Sequence, residues 1–93
     1  MKLVYSAEAV QDLVRVRELI AEKDPMAGAR VPAELVARIE NLCLFPEIGR
    51  NVELAPTPGV IRDFVFGNYI VRYALHTGAV VVLRIWHHYE NRE

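Results

Sequence analysis

The residues able to do chemistry in this chain are concentrated in its second half: Arg50, Arg62, Arg72 and Arg84, then the tip His87-His88-Tyr89. From Ile48 to His88 these four arginines face only Glu53 and Asp63, a local net of +2 in a chain whose formal net charge is -1. Guanidinium groups bind carboxylates and phosphates, and an imidazole with an ordinary pKa of about 6.5 gives or takes a proton near neutral pH. Together they are the parts of an anion-binding site with acid–base capacity. The plainer reading is equally open: arginines paired with Glu53, Asp63 or chain carbonyls, and a His87 that is packed and hydrogen-bonded. His76, beside Thr77-Gly78, reads as a solvated turn residue. Neighbouring residues of a strand point to opposite faces, so His87 and His88 make a poor metal pair, and no metal or other cofactor is expected.

The chain that must position these groups has 93 residues, 53% apolar and 25% charged, which predicts one globular domain spanning 1–93. A net charge of -1 argues against a protein that grips nucleic acid by electrostatics alone. The lone Cys43 cannot close an internal disulfide, which suits a reducing compartment. The longest apolar run, Ala79 to Leu83, is far short of the roughly 20 residues that cross a bilayer, so no membrane association is expected. Glu8, Gln11 and Asp12 follow the start too closely for a secretory signal core, and a cytoplasmic location is the expectation.

Lys2 to Tyr5 reads as a strand and Ser6 as a helix cap. From Ala7 to Glu22 the apolar positions Val10, Leu13, Val14 and Ile20, with the stem of Arg17, define a buried face; Glu8, Gln11, Asp12, Arg15, Glu18 and Glu22 define a wet one. Asp24-Pro25 starts a second helix, with a kink near Arg30 or a fresh start at Pro32 expected from the proline. Leu35, Val36, Ile39, Leu42 and Cys43 continue its stripe to Phe45-Pro46, completing an antiparallel helical hairpin. A loop follows at Pro46-Glu47-Ile48-Gly49-Arg50, with a short strand expected at Val52 to Leu54. Val60 to Phe66, Tyr69 to Leu75 and Val80 to His87 then form a β-meander with tight turns at Gly67-Asn68 and Thr77-Gly78.

Unbroken alternation places Val81, Leu83, Ile85 and His87 on one face of the last strand and Val80, Val82, Arg84, Trp86 and His88 on the other. Two helices cover one sheet face. The other keeps an apolar strip, Ile70, Ala74, Val80, Val82 and Trp86, crossed by Arg72 and Arg84, which predicts a partner site.

The order strand, helix, helix, meander resembles the RelE/ParE superfamily of toxins from type II toxin–antitoxin systems. So do Phe45-Pro46-Glu47-Ile48-Gly49-Arg50, Arg62-Asp63-Phe64, Tyr69-Ile70-Val71-Arg72-Tyr73 and Val82-Leu83-Arg84-Ile85-Trp86-His87. The resemblance covers nearly the whole chain. It implies an α+β fold, RelE-like, in which the helical hairpin packs on one face of a three- to four-stranded antiparallel meander. It also implies a cognate antitoxin and a higher-order toxin–antitoxin hetero-oligomer.

Within the superfamily the Ile-Gly-Arg loop and the Arg-Ile-Trp-His strand look more like ParE, whose members poison DNA gyrase. On that resemblance the chain is expected to inhibit gyrase through Arg50, Arg62, Arg84, His88, Tyr89 and the tail to Glu93. No catalytic residue is implied, and a ParD-like antitoxin is expected on Ile70, Arg72, Ala74, Val80, Val82, Arg84 and Trp86. The alternative is a ribosome-dependent messenger RNA nuclease like RelE or YoeB, in which His87 or His88 would serve with Arg84, Arg62 and Arg50. Against it, Ile70 stands where such nucleases carry an arginine after the tyrosine.

Overall fold

Two side-chain caps decide where the helices begin. The structure, a computed structural model, describes residues 1–53, 56–57 and 59–90. Strand β1 (Lys2–Tyr5) ends at Ser6, whose Oγ accepts the Ala9 N–H at 3.0 Å and starts α1 (Ala7–Lys23). Asp24 repeats the device for α2 (Pro25–Glu40), accepting from Ala27 at 3.2 Å with Pro25 at the first helical position. Of the two outcomes expected from the proline, the fresh start at Pro32 does not occur: α2 runs through it as one helix. Proline removes one donor there, and a turn earlier α2 packs closely on α1. At Gly28 the two helices touch so tightly that a Cβ would fall 2.6 Å from Ala21 Cβ.

After a 3₁₀ turn at Asn41–Cys43 come β2 (Arg50–Asn51), β3 (Ile61–Phe66), β4 (Tyr69–His76) and β5 (Ala79–His87). The short strand expected at Val52 to Leu54 thus forms slightly earlier; Leu54 lies outside the described residues. The meander is antiparallel as expected, and β1 joins it parallel to β5, giving five strands in the order β1-β5-β4-β3-β2. The helices bury Ala9, Leu35 and Ile39 against Val71, Tyr73, Val80, Val82 and Ile85 on one sheet face.

Two features of this core correct the sequence reading. A β-bulge sets Leu83 as an extra residue: Arg72 pairs with Arg84 but Tyr73 with Val82, so the alternation of β5 changes phase. Val80 and Val82 are therefore fully buried beside Ile85 under the helices, and they do not belong to the open-face strip. The α1 stripe is also rotated. Ala9, Asp12 and Val16 are its buried positions, while Val10 and Val14 face solvent.

Tyr73 closes the core beneath the loop after α2. Its hydroxyl donates to the Pro46 carbonyl at 2.7 Å and accepts the Gly49 N–H at 2.9 Å. A Cβ on residue 49 would lie 2.6 Å from that oxygen and 3.0 Å from the Asp63 carbonyl, which explains the glycine of the Ile-Gly-Arg sequence. Gly49→Ala should destabilise the domain by about 1–3 kcal/mol, the usual range for overpacking. A thermal unfolding midpoint equal to the wild type's would show that the loop yields freely instead.

Candidate functional site

β1 pairs with β5 only as far as Val82, which leaves the outer edge of β5 open just where the chemistry-bearing residues begin. Side chains and tail close it. The Ser6 hydroxyl donates to the Leu83 carbonyl at 2.9 Å. The Asp12 carboxylate accepts the Ile85 N–H at 2.9 Å, and Arg15 donates to the Ile85 carbonyl at 3.0 Å. Glu90 folds back so that its carboxylate accepts the His87 N–H and its own N–H reaches the His87 carbonyl, both at 2.9 Å. This satisfies the orphan backbone groups of an edge strand without a partner strand.

Asp12 is the hub. It is 2% exposed, takes two bonds from Arg84 at 2.8 and 3.1 Å, and is ion-paired and hydrogen-bonded to Arg15, which also holds Glu90 at 3.1 Å. Burial alone would raise its pKa; the Arg84 guanidinium, the Ile85 N–H and Arg15 together outweigh burial and hold it down to about 2. Hydrogen bonding to Asp12 in turn raises Arg84.

On the open sheet face, Arg50, Asp63, Arg72 and Arg84 stand in one row across β2, β3, β4 and β5. Arg72 holds Asp63 through two bonds of 2.8 and 3.0 Å and lies 5.3 Å over the Trp86 ring. The Asp63 bond raises the Arg72 pKa. A shallow polar hollow of about 530 Å³ runs along Arg50, Asn51, Glu53, Asp63 and Arg72. Arg50 is exposed and has no ion-pair partner among the described residues.

The tip of β5 forms a second, more enclosed feature. Tyr69 meets the His87 ring edge-on at 5.1 Å, and Tyr89 lies 5.4 Å beyond it. The His87 Nδ1 accepts the Tyr89 N–H at 3.1 Å, and the His88 N–H is held by the Asn68 carbonyl at 2.6 Å. These aromatic rings and Glu90 line a hollow of about 280 Å³ against Val16, Leu19, Ile20 and Lys23 of α1.

Comparison with known proteins now bears on this arrangement. Residues 3–92 match the model of the "ParE toxin of type II toxin-antitoxin system, parDE". The chain belongs to the ParE toxin family. It is 37% identical over 92 residues to Toxin RelE1 of Caulobacter vibrioides, covering 97% of this chain and 96% of that one. Toxin RelE2 of the same organism is 29% identical over 87 residues, covering 92% and 93%. A solved structure described as the chromosomal ParDE TA system from P. aeruginosa superposes with a TM-score of 0.80 at 17% identity, over 94% of this chain and 95% of that one. It shares the α+β fold.

In this ParE-family toxin the arginines picked out from the sequence do not converge. Arg62 lies opposite Tyr73 and Arg84 opposite Arg72, neighbouring positions of β4, so the two start from opposite sheet faces. Arg62 donates to the carbonyls of Glu47, Gly49 and Gly59 on the helix side. His87 and Tyr89 both line the tip hollow, although Tyr89 is 79% exposed, whereas His88 is exposed and does not line it. The tail positions 91–93 lie outside the described residues. Sequence reasoning missed Asp12, Arg15 and Glu90, having set Asp12 and Arg15 on the wet face. The available signal was that Asp12 falls in step with Ala9 and Val16 at spacings of three and four.

Because the folded pKa of Asp12 lies below its ordinary value of 3.8, its ionised form contributes fully above that value and is lost as pH falls toward 2. Unfolding measured from pH 6 to pH 2 should show wild-type stability declining by about 2 kcal/mol on account of this group. Asp12→Asn should be less stable at neutral pH and lack that part of the slope. Parallel pH profiles for the two proteins would remove Asp12 from its assigned role.

Proposed function

We propose that this toxin acts by docking on DNA gyrase and is neutralised by a ParD-like antitoxin laid against the open sheet face. What supports docking over bond-breaking is the commitment of the arginines: Arg62 to loop carbonyls, Arg72 to Asp63, and Arg84 to Asp12. A nuclease needs cations free to meet charge as it develops on a phosphate, together with a proton donor and acceptor at the same point. Guanidinium groups already bound to carboxylates, and starting from opposite faces, suit a framework better. Arg50, His88 and Tyr89 remain exposed and are the target-contacting candidates.

The antitoxin placement rests on the half-buried apolar positions Ile70 and Ala74, with the buried Trp86 beside them beneath Arg72. The complex expected is a hetero-oligomer. A second reading is favoured by one observation, the RelE names of the two relatives: a ribosome-dependent messenger RNA nuclease using His87 at the tip hollow or the exposed His88 next to it.

Purified toxin should inhibit supercoiling by gyrase or trap its cleaved DNA, and should leave ribosome-bound transcripts whole. Gyrase untouched at growth-arresting concentrations, with transcript cleavage that disappears in His88→Ala, would transfer the assignment to the nuclease. For the antitoxin surface, Ile70→Asp combined with Ala74→Asp should weaken the complex at least tenfold, about 1.4 kcal/mol or more. Calorimetric titration checks this, with thermal unfolding as the control for folding. Unchanged affinity in a folded variant would exclude that face.

A further inference from the structure

The hollow at the tip of β5 lies on the helix side of the sheet. Tyr69 and His87 stand opposite each other, two positions from Val71 and Ile85 of the buried core, so alternation turns both toward α1. Val16, Leu19 and Ile20 give the hollow an apolar floor, and the rings of Tyr69, His87 and Tyr89 follow one another along its wall at 5.1 and 5.4 Å. Its acceptors are already in use. The Glu90 carboxylate is shared between the His87 N–H at 2.9 Å and Arg15 at 3.1 Å, and the Ile20 carbonyl takes the Asp24 N–H at 2.9 Å. The His87 Nδ1 accepts the Tyr89 N–H, so in the neutral ring the proton sits on Nε2. What is left without a partner among the described residues is that Nε2–H, the hydroxyls of Tyr69 and Tyr89, and the Lys23 ammonium. Glu18, Glu22 and Asp24 are near Lys23 in sequence but do not line the hollow, and Asp24 is committed to the α2 cap.

We infer that this hollow is a binding site for a small aromatic carboxylate, its ring against the apolar floor and its anionic group held by Lys23 and the free N–H and O–H donors. Size sets the ring. A volume of about 280 Å³ falls just under the range of about 300–1,000 Å³ usual for drug-sized ligands, so one ring with a short arm fills it. Hydrogen bonding sets the arm. A purely apolar ligand would cover donors and give them no acceptor, which costs the desolvation of each group. A cation would meet Lys23 with the only carboxylate of the hollow already shared between Arg15 and the His87 N–H. An anion satisfies the donors and the charge together. The site is on the helix side, away from Ile70, Arg72 and Ala74, so it stands apart from the antitoxin surface and from the choice of target.

The test is titration of the full chain with phenylacetate, followed through the NMR signals of Leu19, Ile20 and Tyr69. Those signals should shift to saturation, and the thermal midpoint should rise with the ligand. Phenylacetamide, which keeps the ring without the charge, and acetate, which keeps the charge without the ring, should each bind about threefold more weakly or worse. Lys23→Gln should weaken phenylacetate by about threefold or more and leave the free protein's thermal midpoint near wild type, because Lys23 is exposed. No saturable shift overturns the inference, as does an amide that binds as well as the acid or a Lys23→Gln chain with wild-type affinity. A short peptide ending in phenylalanine that displaces phenylacetate, with the same dependence on Lys23, retains the chemistry and assigns the carboxylate to a chain terminus; failure to displace it retains the free acid.

Discussion

The Asp12 carboxylate, buried at the junction of α1 and β5, is the interaction on which the rest of the molecule is arranged. β1 is too short to cover β5 along its length, so beyond Val82 the edge strand has backbone donors and acceptors with no strand to meet them. A buried carboxylate without partners would be worse than the open edge, since desolvating a charge costs several kcal/mol. Here Asp12 accepts from the Ile85 N–H and from two guanidinium groups. One ion therefore closes the edge, fixes α1 against the sheet and, through Arg15 and Glu90, holds the tip of β5 in place.

That arrangement changes what the arginines of this fold are for. Arg84 is spent on Asp12, Arg72 on Asp63 and the Trp86 ring, and Arg62 on the carbonyls of the 47–49 loop. Each makes charge-assisted bonds in a half-buried setting, where such bonds hold geometry well. The result is a scaffold with its polar groups matched to one another. The apolar loop around Phe45 and Ile48 lies on the helix side of the sheet, and the row from Arg50 to Arg84 crosses its open face. They lie on different sides because β3 alternates, sending Arg62 and Phe64 one way and Asp63 and Val65 the other.

The hairpin of helices depends on contacts of equal economy. Gly28 lets α2 approach α1 to a distance that no side chain would allow. Gly49 plays the matching part at the sheet, where Tyr73 occupies the space of its missing Cβ. In both places a glycine permits an approach rather than a turn, and removing flexibility is the consequence.

Much of this was legible in the residues. Ser6 and Asp24-Pro25 announce the helix starts because capping is local chemistry, and the β-branched runs broken at Gly67-Asn68 and Thr77-Gly78 announce the meander because side-chain alternation and tight turns are local too. The order of these elements, taken with segments such as Phe45 to Arg50 and Val82 to His87, was enough to point to a toxin family. What the tertiary structure alone decided were matters of phase and of partners distant in the chain. The bulge at Leu83 moved Val80 and Val82 from the open face into the core, since one inserted residue inverts a period of two. Asp12 became a core residue because Arg84 and Ile85, more than seventy positions away, return to meet it, and no pattern within a helix records where a strand will end beside it.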